Sequence, residues 1–392
     1  MMKRLLRRIV GAAVSRGFFP HIIEGGLVRN INYIQSIAHD CTFGGYHDIS
    51  LCRVIDADAF FVLNCVNLDC SSPEVRIFRG FNDSVGVKLC DAPMNFQLGS
   101  RCQFFDMEDE RLIFSNSIIN DCLGSKIWTY DGEKPKVKHT RDRPYFSVNG
   151  IATLGAGLDF NLLYKRRPGY GYPTQQESQF RKRLFIDYLT TGETKWSFSY
   201  DEIVQELGIN GSIYVNHLLF SPTGKYLFGL AIIPPSRDCI ARRCYPFLIN
   251  LEDGQIFRIL KDLEFVSHHC FIDDYSMIIF AGPEPRSGAY HYVNILSNSV
   301  LRIGLPNVDG HPSINDGRFV TDSYPAPSGY QSLWTGRNGE TNKIADFFSW
   351  ELSDHSMRCD LHPRVVSGSV VMVDVMTDRR GSRRVGVLNI LD

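Results

Sequence analysis

Gly310-His311-Pro312-Ser313 and Asp360-Leu361-His362-Pro363-Arg364 each place a histidine just before a run of residues typical of a β-strand. Similar positions occur upstream, although those in the N-terminal half match less well. We call the residue just before each such strand an anchor; the anchors are residues 47, 97, 147, 217, 268, 311 and 362. Successive anchors are separated by 50, 50, 70, 51, 43 and 51 residues. A motif that recurs at this interval predicts seven structural repeats, the third of which carries extra chain.

Each repeat also contains later β-type runs, so that a unit of 40 to 50 residues holds roughly four strands. This period is typical of propeller blades and not of helical solenoids. Tight turns around Gly224 and Gly317 place glycine where the link between the first two strands needs positive φ. We therefore predict an all-β protein, a seven-bladed β-propeller over residues 30–392, preceded by a basic segment over residues 1–29 with a short helix.

Three local features complete the predicted fold. Asn32-Tyr33-Ile34 is expected to close the ring as an edge strand of the last blade, because an unpaired edge is a liability. A loop insertion is expected at about residues 160–182. A helical turn over residues 200–207 is expected to end at Gly208.

Composition narrows the class of partner. The chain has 392 residues with a formal net charge of -1, which leaves no bulk field to attract DNA or RNA, so we expect no nucleic-acid partner. Its 11 cysteines are odd in number and include no CxxC pair. This usage favours reduced thiols in a cytoplasmic protein over a disulfide framework.

The segment from Met1 to Arg8 is basic and precedes the apolar run Ile9–Val14, which superficially resembles a signal peptide. The apolar run is too short for export to be favoured, and no stretch is long enough to span a bilayer. Two interpretations stay open: a helix that touches a membrane surface or a protein partner, or a plain solvated helix. We expect a cytoplasmic location. The alternative is a cytoplasmic protein that contacts the inner membrane peripherally.

Residues at equivalent blade positions form a ring beside the central channel of a propeller. That ring is predicted to hold His47, Gln97, His217, His268 or His269, His311 and His362. Converging imidazoles can bind a divalent metal or exchange protons near neutral pH. The alternative is that each histidine hydrogen-bonds the backbone of a neighbouring blade.

Three further groups are candidates for substrate binding. Amides and an arginine suited to sugar hydroxyls and a carboxylate occur at Asn95, Gln97, Arg101 and Asn116. Turn capping is the alternative; it accounts well for the neighbouring Asn120 and Asp121 and less well for Asn95. In the insertion, Arg167 could hold an acidic group while Tyr170 and Tyr172 stack on sugar faces, unless the loop is only a solvated insertion. Asp322, near Tyr324, could orient a neighbouring histidine or could be an ordinary turn residue.

The sequence lacks the GxSxG, Walker, HExxH and GxGxxG motifs, which argues against serine hydrolase, P-loop, zincin and dinucleotide-binding functions. The segments His217–Gly224, Gly310–Pro325 and Asp360–Arg364 resemble those of the oligogalacturonate lyase and ulvan lyase group of seven-bladed propellers. They are most similar to bacterial propeller proteins associated with polysaccharides. The resemblance covers most of the chain from about Cys41 onward.

The resemblance implies a site for an acidic polysaccharide or oligosaccharide and a metal-assisted β-elimination of uronates. It implies divalent Mn, Zn or Ca on ligands drawn from His268, His269, His311 and His362. The candidate catalytic residues are His217, His311, Tyr145 and Arg364, with proton abstraction and charge neutralisation as their roles. Asn95 and Asn116 occupy positions where the ulvan lyase branch has histidine. An amide cannot act as a general base, so this departure argues against the ulvan type of proton transfer. The alternatives are a non-catalytic glycan- or protein-binding scaffold and a glycosyltransferase of polysaccharide biosynthesis.

Overall fold

A computed structural model describes residues 2–17, 20–34, 40–42, 52–55, 58–66, 73–107, 110–151, 153–173, 180–235, 242–263, 265–284, 287–304, 306–337 and 340–391. The chain divides into two compact units. Unit 1 comprises residues 1–102 and 304–392, and unit 2 comprises residues 103–303.

The first part of unit 1 begins with a helix and continues in strands. Its elements are α1 (Met2–Ser15), β1 (Ile22–Glu24), β2 (Val28–Ile34), β3 (Asp40–Thr42), β4 (Cys52–Ile55), β5 (Asp58–Val66), β6 (Glu74–Arg79) and β7 (Val87–Asp91).

Unit 2 follows with sixteen strands and two short helices in its described residues. They are β8 (Gln103–Met107), β9 (Glu110–Ile119), β10 (Cys122–Thr129), β11 (Lys136–Arg141), β12 (Ser147–Val148), β13 (Leu154–Leu158), α2 (Phe160–Arg166), β14 (Arg183–Tyr188), β15 (Thr194–Ser199), α3 (Tyr200–Glu206), β16 (Tyr214–Phe220), β17 (Tyr226–Ile233), β18 (Arg243–Asn250), β19 (Ile256–Arg258), β20 (Phe265–Asp273), β21 (Ser276–Gly282), β22 (Ala289–Asn294) and β23 (Ser299–Arg302).

The chain then returns to unit 1. This second part contains β24 (Ser313–Asn315), β25 (Arg318–Asp322), β26 (Tyr330–Arg337), β27 (Glu340–Phe348), a 3-10 turn (His355–Met357), β28 (Arg364–Ser367), β29 (Val370–Met376) and β30 (Arg383–Ile390).

These strands form seven antiparallel sheets of four or five strands, which are the blades of the predicted seven-bladed β-propeller. Unit 2 holds the four blades β8–β11, β12–β15, β16–β19 and β20–β23. Unit 1 holds the blade β3–β7, the blade β24–β27 with β1 added, and the blade β28–β30 with β2 added. The second strands of two blades, β17 and β21, are almost wholly apolar and buried, as expected for strands covered on both faces.

The predicted closing strand is confirmed. β2 pairs antiparallel with β30, and Asn32, Tyr33 and Ile34 lie opposite Val387, Gly386 and Val385. A second pairing was not predicted: β1 lies against β27, with Ile23 opposite Asp346. Residues 22–24 and 28–29 therefore already belong to blade strands, while the domain boundary at residue 30 stays a prediction.

Helix α1 is the predicted N-terminal helix, and one of its faces packs on unit 1. Arg7 Nε and Nη2 donate hydrogen bonds to the carbonyl oxygen of Ser349, at 2.8 and 2.5 Å. Val14 is buried in a cluster with Phe348 and Trp350. The helix is therefore docked and not wholly solvated. Among the residues that the structure describes, no helix combines the length and the apolarity needed to cross a membrane.

Other local predictions are also confirmed. α3 begins at a capping box formed by Ser199 and Glu202, and Gly208 follows it with φ +60°. Gly224 and Gly317 have φ of +77° and +70° in their turns. Eight cysteines of the described residues are free, and all of these except Cys122 are buried.

Replacing Ile34 tests the closing strand. Ile34 is fully buried, and Ile34→Ala is expected to lower the free energy of unfolding by about 2–5 kcal/mol, because it leaves a cavity between β2 and the last blade. Ile23→Ala, on the exposed side of β1, should change it by less than about 0.5 kcal/mol. Urea titrations of both variants give the comparison, and equal losses would contradict the closing role of β2.

Candidate functional site in unit 1

The anchors of the last two blades meet at one carboxylate. Asp322, at the end of β25, is fully buried and accepts a hydrogen bond from the backbone N–H of His311 at 2.7 Å. Its second oxygen accepts from the backbone N–H of His362 at 3.1 Å. Asp322 also lies 2.8 Å from Nδ1 of His311. Asp322 is therefore placed where it can orient the ring of His311.

The loop before His311 has no room for a side chain at Gly310. A β-carbon there would lie 1.8 Å from the carbonyl oxygen of Asp322. Close packing of this backbone against β25 therefore brings His311 within reach of the Asp322 carboxylate.

His362 and Asp360 complete a cluster with His311. The rings of His311 and His362 have centroids 4.4 Å apart at 74°. His362 has a φ of +44°, in the left-handed region, so the backbone turns sharply just before β28 begins. His311, Asp360 and His362 can each offer one ligand atom such that all three atoms lie within 4.8 Å of one another. Each of these residues is 1% exposed.

Carboxylates surround the two imidazoles. Nε2 of His362 lies 4.0 Å from Oδ2 of Asp360, and its Nδ1 lies 3.9 Å from Oδ2 of Asp374. Thr42 donates a hydrogen bond to that Asp374 oxygen at 2.8 Å. Buried carboxylates favour a positive charge between them, which a bound metal ion would supply.

Arg358 forms the rim of this cluster. Its Nε donates to Oδ2 of Asp360 at 2.7 Å, and its Nη2 donates to Oε1 of Gln97 at 2.9 Å. The guanidinium carbon lies 5.6 Å from the ring centroid of Tyr324, and the side chain is 33% exposed. Gln97 and Tyr324, predicted as substrate-binding residues, are therefore brought together with His311 and His362.

The other predicted histidines form a separate cluster in unit 2. His217 lies in β16 with φ +55°, at a break in the register between Asn216 and Leu219. Its ring centroid is 5.4 Å from that of His268 and 6.2 Å from that of His269. His269 packs at 3.8 Å on the ring of Phe228.

The prediction of His268 and His269 as metal ligands is not matched by this placement. No group of three possible ligands with metal spacing includes either of them in the described ranges. Burial lowers the pKa of His217 and of His269 well below the ordinary value of 6.5, with neighbouring imidazoles as a further cause. His217 and His269 are consequently held neutral in the protein interior.

Tyr145 and Asn116 have structural partners. The Tyr145 hydroxyl donates to Asp187 at 2.9 Å, and its ring is fully buried among apolar side chains. Burial, followed by the charge of Asp187, raises the pKa of Tyr145. Asn116 accepts from the Tyr145 backbone N–H at 2.8 Å and donates to the hydroxyl of Tyr172 at 3.2 Å. This placement speaks against proton transfer by Tyr145 and sugar binding by Asn116, because neither side chain reaches solvent.

The predicted binding lid is packed into unit 2 as far as residue 173. Tyr172 stacks on Phe160 at 4.9 Å, and Tyr170 makes an edge contact with His217 at 6.0 Å. Both tyrosines are buried, so their faces are already covered by protein. Arg167 lies over Tyr170 at 5.3 Å.

The remaining candidates lie in loops or outside the described residues. Asn95 accepts a hydrogen bond from the backbone N–H of Gln97 at 3.1 Å, which is a loop cap. Arg101 is buried with φ +62°, and Arg364 is buried, with Nη1 donating to the carbonyl oxygen of Pro363 at 3.2 Å. His47 lies outside the residues that the structure describes.

Sequence reasoning missed Arg358, Asp360 and Asp374. Asp360 stands in the same five-residue motif as His362, so a signal for it was present. Arg358 and Asp374 carry no such signal, because Arg358 lies in a loop and Asp374 inside an apolar strand.

No protein-family model matches the sequence, and no curated protein matches it significantly. Solved structures do show a likeness. The uncomplexed acylaminoacyl peptidase of Pyrococcus horikoshii has a TM-score of 0.50 at 13% identity, over 89% of this chain and 52% of that chain. The tricorn protease has a TM-score of 0.51 at 10% identity, over 94% of this chain and 35% of that one. The β-propeller domain of the trilobed protease from Pyrococcus furiosus has a TM-score of 0.48 at 13% identity, over 88% and 94%.

These likenesses concern the fold alone. The chain spans about half the length of the acylaminoacyl peptidase. The first two likenesses also overturn an expectation: the function of a carbohydrate-active propeller or uronate lyase is wrong, because these two solved structures are peptidases. Nothing in them points to the lyase group or to polysaccharide proteins.

The neutral histidines of unit 2 predict an acid-sensitive fold. The unfolded chain takes up protons on these residues below about pH 6.5, whereas the folded chain does not. Their stabilising effect is thus fully present above about pH 6.5 and is lost as the pH falls. Each contributes a slope of up to about 1.4 kcal/mol per pH unit. His217→Asn, which tolerates a positive φ, should flatten the slope below pH 6.5 in urea titrations and leave it unchanged above about pH 7.5. An unaltered acid slope would contradict the neutral state of His217.

Proposed function

We propose that the chain is a non-catalytic binding propeller of the kind found in peptidases, and that it holds a divalent transition metal on His311, Asp360 and His362. The observation that carries the proposal is Oδ1 of Asp360. This buried carboxylate oxygen has no hydrogen-bond partner within the described part of the chain. Asp360 as a residue offers a ligand atom that lies within 4.8 Å of one on His311 and one on His362. A carboxylate oxygen in such a place is normally satisfied by a proton, a water or a metal ion.

The orientation of His311 supports metal binding. Asp322 can accept the Nδ1–H of the ring, and this tautomer places the lone pair on Nε2. Carboxylates that hold a ligating histidine in this way orient the ring and increase its basicity. The charge also agrees, because Asp322 and Asp374 are fully buried around the two histidines.

The donor set narrows the choice of metal. Two imidazole nitrogens and one carboxylate oxygen suit zinc or manganese. Calcium takes oxygen ligands almost exclusively, so it is the least suited of the three predicted metals. His268 and His269 are not part of the proposed site.

The burial of the three ligands favours binding over catalysis. A catalytic metal keeps a position open to substrate, whereas structural sites are closed by protein. With each ligand 1% exposed, the proposed ion would join the loop before β24 to the loop before β28. Its effect would then be on stability.

Metal analysis of protein purified without chelator tests the proposal. We expect zinc or manganese in stoichiometric amount, and a chelator should lower the thermal midpoint. Restoring the metal to about 100 times its dissociation constant should stabilise the protein by about 2.7 kcal/mol. Cobalt substitution should give d–d absorption bands that report nitrogen and oxygen ligands.

Two variants of the site are compared with a matched control. Asp360→Asn and His362→Asn should lose the metal and the response to chelator. His217→Asn is the control, because it makes the same change at another histidine with positive φ and should retain the metal. Metal-free protein that gains no stability from added zinc or manganese, or loss of metal in the control, would refute the site.

The likeness to peptidase propellers favours a second candidate function, the binding of peptides or of a peptidase. The part-exposed Arg358 at the rim offers a cation for a peptide carboxylate. A fluorescently labelled acidic peptide should bind, with affinity reduced in Arg358→Gln and unchanged in Arg111→Gln, an exposed arginine of unit 2. Hydrolysis of acylated peptide substrates by the purified chain would contradict a non-catalytic role.

A further inference from the structure

The exposed face of α1 carries several large apolar side chains. Met2, Leu5, Leu6 and Ile9 are 83%, 59%, 44% and 59% exposed. At 100° per residue these four side chains lie within one arc of the helix. Contiguous apolar side chains on a protein surface mark a site for a membrane or another protein.

This exposed face is distinct from the face that docks the helix. Arg7, Gly11 and Val14 point to unit 1, where Arg7 bonds Ser349 and Val14 enters the buried cluster. The docked face is centred more than a quarter turn from the apolar one. The helix can therefore stay attached to unit 1 while its apolar face contacts something else.

Basic residues border the apolar face. Lys3 and Arg8 are exposed on either side of it. Long basic side chains that flank an apolar stripe can keep their charges in the headgroup layer while the stripe enters the lipid. The helix thus has the distribution of an interfacial helix.

A basic cavity adjoins α1 on another side of the helix. A cavity of about 860 Å³ opens between α1 and the neighbouring strand ends of unit 1, and five arginines line it: Arg7, Arg8, Arg16, Arg379 and Arg380. Two carboxylates, Glu351 and Asp378, also line it, so the cationic side chains are in excess. Since the whole chain has a formal net charge of -1, this concentration of positive charge is local.

We propose that this surface, the apolar face of α1 with the adjoining arginine cavity, binds an anionic lipid bilayer. The apolar side chains would enter the interface, and the four exposed arginines of the cavity would take the phosphate groups of anionic lipids. Arg7 is excluded from these four, because it is held by Ser349. A protein partner would need a complementary acidic and apolar surface. The bilayer is the occupant that supplies both chemistries over the whole length of α1.

Vesicle co-sedimentation with the full chain tests the proposal. Binding to phosphatidylcholine vesicles containing about one third phosphatidylserine should exceed binding to pure phosphatidylcholine by about tenfold or more. Raising the salt from about 0.1 M to about 1 M should weaken it, because the screening length falls from about 10 Å to about 3 Å.

Paired variants separate the apolar and the basic contributions. Leu5→Asp with Ile9→Asp should abolish vesicle binding, whereas Leu296→Asp with Leu301→Asp, at exposed leucines of unit 2, should not. Arg379→Gln with Arg380→Gln should reduce binding severalfold, whereas Lys134→Gln with Lys136→Gln should not. The thermal midpoints should match that of the wild type, because all these side chains are exposed.

Three results would overturn the proposal. They are an absence of binding to either kind of vesicle, binding that does not depend on anionic lipid or salt, and unchanged binding of the Leu5→Asp, Ile9→Asp variant. The wild type could instead fail to bind vesicles and self-associate in sedimentation experiments. If the Leu5→Asp, Ile9→Asp variant then fails to self-associate, the face is an interface between copies of the chain.

Discussion

The buried carboxylate of Asp322 is the interaction on which the arrangement of the last two blades depends. One side chain accepts backbone hydrogen bonds from His311 and from His362, residues that precede the first strands of different blades. A carboxylate with several N–H donors is a strong acceptor, and it is costly to leave without them. The same contact orients the His311 ring. Blade packing and the candidate metal site in unit 1 therefore share one residue.

Much of the fold could be predicted because it depends on periodic features. Anchors near a 50-residue interval identified the seven blades, and the strand around Tyr33 identified the closing pair. β1 was missed because a three-residue strand such as Ile22–Glu24 pairs through its backbone and leaves little pattern in the side chains. Turns were predicted correctly where the backbone needs a positive φ that glycine adopts readily, as at Gly224.

The site was less predictable, because side-chain direction depends on local backbone breaks. His217 and His268 lie where the register of their strands is interrupted, so a count along the sequence does not give the face they occupy. The family resemblance made Tyr145 a catalytic candidate, but an aromatic ring with a polar tip is equally suited to a core that offers Asp187 as acceptor. Asp360 belongs to the same sequence motif as His362. Its closeness to His311 is apparent only in the three-dimensional structure.

The pairing of β2 with β30 has a consequence for how the protein folds. It joins parts of the chain far apart in sequence, as the hydrogen bond between Asn30 and Asn389 spans 359 residues. Contacts at such separation carry a large loop-closure entropy and form late in folding. During synthesis, β2 has no partner until the last blade has been made. The free edge of this early strand is then a template for pairing with other chains, so the interval before closure is the period of greatest risk of aggregation.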